Sequence, residues 1–317
     1  MSAPRIVFMG TPPFAVSSLE ALHNAGIPIA AVVTAPDRPA GRGRQVRASA
    51  VKEAAIRLGL PVLQPERLRD EGFLEALRAC GADLFVVVAF RMLPEVVWRM
   101  PRLGTVNLHA SLLPRYRGAA PINWAVMHGE RSTGLTTFLI QQAIDTGDVL
   151  LQEPVPIGPD ETAGELHDRM ATIGSDLLVR TVRVLATGAL AARRQETLIE
   201  GGPLYDAPKL TPSNCRINWS WPASKVHDHV RGLSPVPGAW TELVRADGVT
   251  EHFKVLRSER TGMGGQGVPG SVNDADAGLL VVCGEGVLRL LEVQPEGRRR
   301  MPAAAFRAGL RGSIHFK

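Results

Sequence analysis

Three side chains able to hydrogen-bond or move a proton stand on alternate positions of one short run. In "TVNLHASLLPRYRGAAP", residues 105–121, they are Asn107, His109 and Ser111. If the run is a strand, period-2 spacing puts all three on one face. Pro114 and Gly118 close the run, so the three sit near a strand's carboxyl end. An imidazole there can donate a hydrogen bond or a proton near neutral pH. A carboxamide N–H can help hold a developing oxyanion. What is missing is an acid to orient or charge the histidine. "AIDTGDVL", residues 143–150, offers Asp145 and Asp148 in a Gly-containing turn. On spacing alone, the same residues also suit a core histidine and two turn aspartates.

The elements around this run read as an α/β pattern. "RIVFMG", "IPIAAVVT", "LPVLQ", "ADLFVVVAF" and "GTVNLHAS" are expected strands. "PPFAVSSLEALHNAG", "SAVKEAAIRLG" and "DEGFLEALRACG" are expected helices between them. Thr11 is the expected N-cap of the first helix and Gly26 its stop. Strands alternating with helices imply a doubly wound, mostly parallel sheet, which binds ligands beyond its strands' carboxyl ends. "GLTTFLIQQAIDTGDVLLQEPVPI" reads as two further strands around a polar turn, and "ETAGELHDRMATIGSDLLVRTVRVLATG" as a long amphipathic helix.

The 317 residues suggest two domains. Residues 1–200 form the first. "GGPLYDAPKLTPSN", 201–214, is rich in Gly and Pro and reads as a linker. In 215–317 one helix, "ASKVHDHVRGL", is followed by short strands with turn signals, which suggests a small β-barrel. Net charge is +5. From residue 201 onward there are 15 Lys and Arg against 11 Asp and Glu, so most of the excess lies there. A mild basic excess permits nucleic-acid binding without requiring it. "TAPDRPAGRGRQVRASAVK", 34–52, carries Arg38, Arg42, Arg44, Arg47 and Lys52 against Asp37 alone. Two glycines and two prolines are expected to keep it out of regular structure. It reads either as a solvated loop or as a phosphate-binding one.

Other chemistries find no motif. Ser111 is not in a G-x-S-x-G elbow, and "MGTPPF" lacks the dinucleotide fingerprint. His227 and His229 would point apart on a helix, so no metal site is expected. Cys80, Cys215 and Cys283 are widely spaced, which argues for a reducing compartment and against structural zinc. The N-terminal apolar run is too short for a signal peptide. The run from Leu84 to Phe90 stops at Arg91, far short of the ~20 residues of a membrane span. The cytoplasm is therefore the expected location, with no membrane partner.

"NLHASLLPRYRGAAPINWAV" followed by "IDTGDVLLQ" resembles the signature of the folate-dependent formyltransferases. "RIVFMGTPPFA", "TAPDRPAGRGRQ" and "APKLTPSNCRINWS" are similar to the branch of that family acting on methionyl-tRNA, and the similarity runs through nearly the whole chain. The resemblance implies a formyltransferase fold with a C-terminal oligonucleotide-binding-like barrel. It implies 10-formyltetrahydrofolate as donor, initiator methionyl-tRNA as acceptor, no metal, and a monomer. Its catalytic Asn, His and Asp fall on Asn107, His109 and Asp145. Its folate site falls on Ser111, Leu112, Leu113 and Pro114, on Phe90, Arg91, Met92 and Leu93, and on Ala143 and Ile144. Phe14, Arg38, Arg42, Arg44 and Lys209 match its acceptor-binding positions. Many relatives carry Tyr-Gly-Leu where this chain has Phe90 and Arg91 with one residue fewer. Arg91 instead resembles the glycinamide-ribonucleotide branch. A sugar-nucleotide formyltransferase and a catalytically silent tRNA-binding protein are the rival readings. The arginine-rich loop speaks against the first, and the joint presence of Asn107, His109 and Asp145 against the second.

Overall fold

A computed structural model describes residues 3–40, 45–199, 203–273, 278–310 and 312–317. The chain forms two compact units. One comprises Met1–Gly118, Gly134–Val155 and His167–Asp206, the other Ala119–Thr133, Pro156–Leu166 and Ala207–Lys317. The second unit thus takes in two segments that precede the Gly/Pro stretch.

The elements up to residue 187 are β1 (Ile6–Gly10), α1 (Pro13–Asn24), β2 (Ile29–Val33), β3 (Arg38–Ala40), β4 (Gln45–Arg47), α2 (Ala50–Arg57), β5 (Val62–Leu63), α3 (Glu71–Ala79), β6 (Leu84–Val88), α4 (Glu95–Trp98), β7 (Thr105–His109), β8 (Arg117–Gly118), α5 (Pro121–Met127), β9 (Ser132–Leu139), β10 (Val149–Pro156) and α6 (Ala163–Thr187). The main sheet has the order β10-β9-β7-β6-β1-β2-β5. Its strands from β5 to β7 run parallel, and β9 pairs antiparallel to β7. β1 and β6 are central, and all five residues of each are buried. That is why both read as continuous apolar runs rather than alternating ones. Gly174 of α6 permits a close approach, since a Cβ there would stand 2.9 Å from a Leu108 methyl of β7.

The first helix starts one residue later than expected. Pro12, not Thr11, is the N-cap, with no side-chain cap bond, because Pro13 is already in the first turn. Gly26 closes that helix as expected, at φ +73 with its N–H on the His23 carbonyl. Two stretches of the arginine-rich segment, Arg38–Ala40 and Gln45–Arg47, are strands where its composition suggested a loop. β3 and β4 pair antiparallel, Arg38 opposite Arg47 and Pro39 opposite Val46. The pair forms a two-stranded sheet of its own, and such edges tolerate a proline that a central strand would not.

After β11 (Asp206–Ala207), α7 (Ala223–Leu233) of the second unit precedes β12 (Ala239–Arg245), β13 (Thr250–Arg260), β14 (Val272–Asn273), β15 (Leu279–Val282), β16 (Val287–Pro295), β17 (Met301–Pro302), α8 (Ala303–Ala308) and β18 (Ile314–Phe316). The sheet order is β14-β15-β16-β13-β12-β18, with β17 on β16. A bridge between Ser271 and His315, and the Phe316 N–H on the Gly270 carbonyl, join the two ends. The antiparallel sheet therefore curls into a small barrel. Its core holds Trp219 stacked on Phe316, with Phe253 against Phe306 and Phe316. Val226, Val230 and Leu233 of α7 cover that core.

Candidate active site

β7 delivers the histidine. Asn107 and His109 share one strand face, Asn107 half-buried and His109 only 6 % exposed. His109 Nε2 lies 2.9 Å from the Tyr116 carbonyl oxygen. A carbonyl only accepts, so Nε2 carries a proton. Nδ1 then faces Asp145, whose Oδ2 is 3.6 Å away. That gap is longer than a hydrogen bond and short enough for an ion pair. The same Oδ2 accepts the Gly118 N–H at 2.9 Å. The structure brings His109 and Asp145 together as expected, while Asp148 makes no side-chain contact with the imidazole.

The turn after β7 is pinned from below. Ser111 is fully buried and its Oγ donates to the Arg115 carbonyl at 2.6 Å. Thr136 Oγ1 donates to the Ser111 carbonyl at 2.6 Å and accepts the Leu113 N–H at 3.1 Å. Gln152 Nε2 holds the Leu113 carbonyl at 3.0 Å. Leu112 is half-buried, and Leu113 and Pro114 are buried. Leu112 packs on Gly134, where a Cβ would come within 2.4 Å of it. Thr136 and Gln152 were not expected from sequence, because nothing in local spacing marks a hydroxyl one strand away.

Among the described residues, three that are not glycine hold the left-handed conformation, Ala89 (φ 47), Tyr116 (φ 59) and Asp145 (φ 53). Each costs on the order of 1 kcal/mol. Ala89 ends β6, Tyr116 offers its carbonyl to His109, and Asp145 faces the imidazole, so the strain gathers where the sheet opens. Beyond β6, Leu68, Arg69, Arg91, Met92, Leu93 and Pro94 line a cleft of about 290 Å³. Arg91 anchors its wall by donating to the Pro65 and Glu66 carbonyls, and its guanidinium stands 5.7 Å from the Phe90 ring centre. Met92 is 71 % and Ile144 59 % exposed, and Ala143 is exposed beside it.

The remaining expected residues separate. Phe14 is buried, its ring 5.1 Å from that of His167, and it packs α1. Arg38 is exposed on β3, and Arg42 and Arg44 lie outside the described residues. Lys52, counted among the loop cations, is committed to Asp37 at 2.5 Å. Lys52 and Gln64 together hold the Asp37 carboxyl below the usual range. Lys209 is exposed in the second unit. Among the described residues no group of three or more His, Cys, Asp or Glu could hold a metal, and no helix is long and apolar enough to cross a membrane.

Residues 4–182 match the family model described as formyl transferase, and residues 209–311 match that of the formyl transferase C-terminal domain. The chain is 46 % identical over 314 residues to a methionyl-tRNA formyltransferase of Bacteroides fragilis, covering 99 % of this chain and 97 % of that one. It is 48 % identical to the corresponding protein of Parabacteroides distasonis, covering 97 % and 96 %. Among solved structures, HypX from Aquifex aeolicus in complex with tetrahydrofolic acid aligns with TM-score 0.61 at 19 % identity, over 96 % of this chain and 47 % of that one. WlaRD, a sugar 3N-formyl transferase solved with dTDP and 5-N-formyl-THF, aligns at 0.65 and 15 % identity, over 94 % and 100 %. At these identities the two structures bear on the fold.

Proposed function

The chain belongs to the formyl transferase family, and from that premise we propose that it moves the formyl group of 10-formyltetrahydrofolate to the α-amine of initiator methionyl-tRNA. The carrying observation is the full-length identity of 46–48 % to methionyl-tRNA formyltransferases. The convergence of His109 and Asp145 at the mouth of the sheet supports it. The relatives' task places the reaction in bacterial-type translation initiation. The protein acts as a cytoplasmic monomer.

The donor supplies an amide-like formyl carbon with a nitrogen leaving group. The cleft beyond β6, lined by Arg91, Met92 and Leu93 among others, takes the donor's ring, and Phe90, Ala143 and Ile144 are assigned to the same ligand. Exposed Arg69 suits its carboxylates. The segment Ser111–Pro114, pinned by Thr136 and Gln152, borders the formyl end. When the deprotonated amine attacks, the C–N bond forms and the carbonyl pair moves onto oxygen. Asn107 donates to that oxyanion, and the positive charge of protonated His109, whose ring nitrogens face Tyr116 and Asp145, stabilises it through space. Asp145 keeps the imidazole charged and oriented. It also takes the proton released by the new C–N bond, through water. The bond to the donor nitrogen then breaks as that nitrogen is protonated.

Residues 1–200 carry this chemistry, residues 201–214 link, and the barrel of 215–317 tracks the tRNA backbone, with Lys209 at its edge. Arg38 and Arg47 stand opposite each other across the β3–β4 pair, both exposed. Like charges placed so are destabilising on their own and are relieved by a phosphate. Arg38 therefore suits the acceptor end, Arg42 and Arg44 are assigned to it with the rest of this basic segment, and Phe14 supports the methionine side.

The test is transfer by purified protein to charged initiator Met-tRNA, free methionine, glycinamide ribonucleotide and a UDP-amino-sugar in parallel. Transfer to Met-tRNA alone is the expected result. Transfer only to a small amine would overturn the acceptor assignment.

A further inference from the structure

Gln195 lies in none of the motifs above, yet its carboxamide is fully engaged beside the site. Nε2 donates to the Asp145 and Gly147 carbonyls, both at 2.8 Å. Oε1 accepts from Arg117 Nε at 3.1 Å and Nη2 at 2.6 Å. The residue is 1 % exposed, its bond to the Gly147 carbonyl is buried and the other three are part-buried, where hydrogen bonds are stronger than in open water. The backbone brings it there, since Arg193 and Val149 exchange two N–H···O bonds of 2.8 Å at the start of β10. Gln195 then sits beneath the turn that β10 leaves.

That turn has need of a support. Asp145 is held at φ +53, and residues 141–144 before it are exposed. The links also form a loop. Gly118 N–H holds the Asp145 carboxylate, the adjacent Arg117 holds Gln195 Oε1, and Gln195 Nε2 holds the Asp145 carbonyl. We propose that Gln195 is a positioning residue for the reaction, clamping the 145–147 turn so that the Asp145 carboxylate stays against His109. This rests on the role given above to that pair. A glutamate would keep the size and the Arg117 partner, but it has no N–H and would turn an anion toward two carbonyls.

Two measurements test it on the full chain. The first is deuterium exchange of the peptide spanning 141–149, which needs no acceptor. Gln195→Glu, with Gln195→Met as the uncharged companion, should quicken exchange there about tenfold or more. Unchanged exchange in both variants overturns the proposal. The second is a double-mutant cycle on single-turnover formyl transfer, since a residue acting through Asp145 is non-additive with it. Gln195→Glu alone should slow transfer roughly 10–100-fold. In an Asp145→Asn background the further loss should shrink to about twofold. Equal losses in both backgrounds would mean a general structural role and overturn the proposal. If wild-type protein formylates none of the acceptors, the acceptor assignment fails, and the exchange result still decides the clamp.

Discussion

Gly147 is the position where one added carbon should disturb chemistry more than stability. A Cβ built there would stand 1.6 Å from the Leu139 carbonyl oxygen, 2.8 Å from its carbon and 3.1 Å from Phe138 Cδ2. Ordinary contact begins at 3.4 Å, so the two backbones must part by about 1.8 Å. Leu139 cannot yield easily, because it is in register with Val106 of β7 and its N–H is bonded to the Asp148 carbonyl. The turn must therefore move, and with it Asp145, two residues away. The present Nδ1–Oδ2 separation of 3.6 Å leaves no slack for an ion pair. Misplacement by about 1 Å is enough to lose ~100-fold in rate, while overpacking of this kind costs roughly 1–3 kcal/mol of stability. The assay is single-turnover formyl transfer to Met-tRNA by Gly147→Ala, with thermal unfolding followed in parallel. Gly264→Ala is the control, since no atom lies within 4 Å of its Cβ. A folded Gly147→Ala protein retaining more than half the wild-type rate would refute the reasoning.

Acid should loosen the second unit through His229. Burial holds its pKa down to about 4 from an ordinary 6.5. The unfolded chain binds a proton as pH falls through 6.5 and the folded chain only near 4, so the stability present above 6.5 is lost across that window. The loss amounts to roughly 3 kcal/mol in all. Melting followed by tryptophan fluorescence at pH 7.5 and 4.5 should show a smaller acid loss in His229→Leu than in wild type, and equal losses would contradict this. Arg38→Ala and Arg42→Ala should each lower the log–log salt slope of tRNA binding by about one and leave the folate KM unchanged. A slope equal to wild type would remove those residues from the acceptor interface.

The parts of the site that share a short segment were legible in the sequence. Asn107, His109 and Ser111 declare themselves by period-2 spacing before a proline. The Gly-containing turn between two apolar runs offers Asp145 and Asp148 alike, and only the 3.6 Å approach of the Asp145 carboxylate to His109 separates them. Helix positions followed from apolar periodicity, whereas the one N-cap read from sequence, Thr11, gave way to Pro12, and the caps the structure uses are Ser49 on the Lys52 N–H and Asp70 on the Phe73 N–H. What was not legible is held by contacts distant in sequence. Gln195 reaches Asp145 across 50 residues, and Thr136 reaches Ser111 across 25, each through one polar group that no periodicity marks. The β3–β4 pairing was hidden because its Gly- and Pro-rich composition favours a loop. Only the register of Arg38 against Arg47 shows otherwise. Likewise, residues 119–133 and 156–166 join the second unit through long-range packing.

The most direct test of the account compares transfer of a labelled formyl group from 10-formyltetrahydrofolate to initiator Met-tRNA by wild-type protein and by His109→Ala. The account predicts transfer by the wild type and a loss of roughly 10²–10⁴-fold in the variant, the scale of one acid/base or oxyanion group. Near wild-type transfer by a folded His109→Ala protein would contradict it.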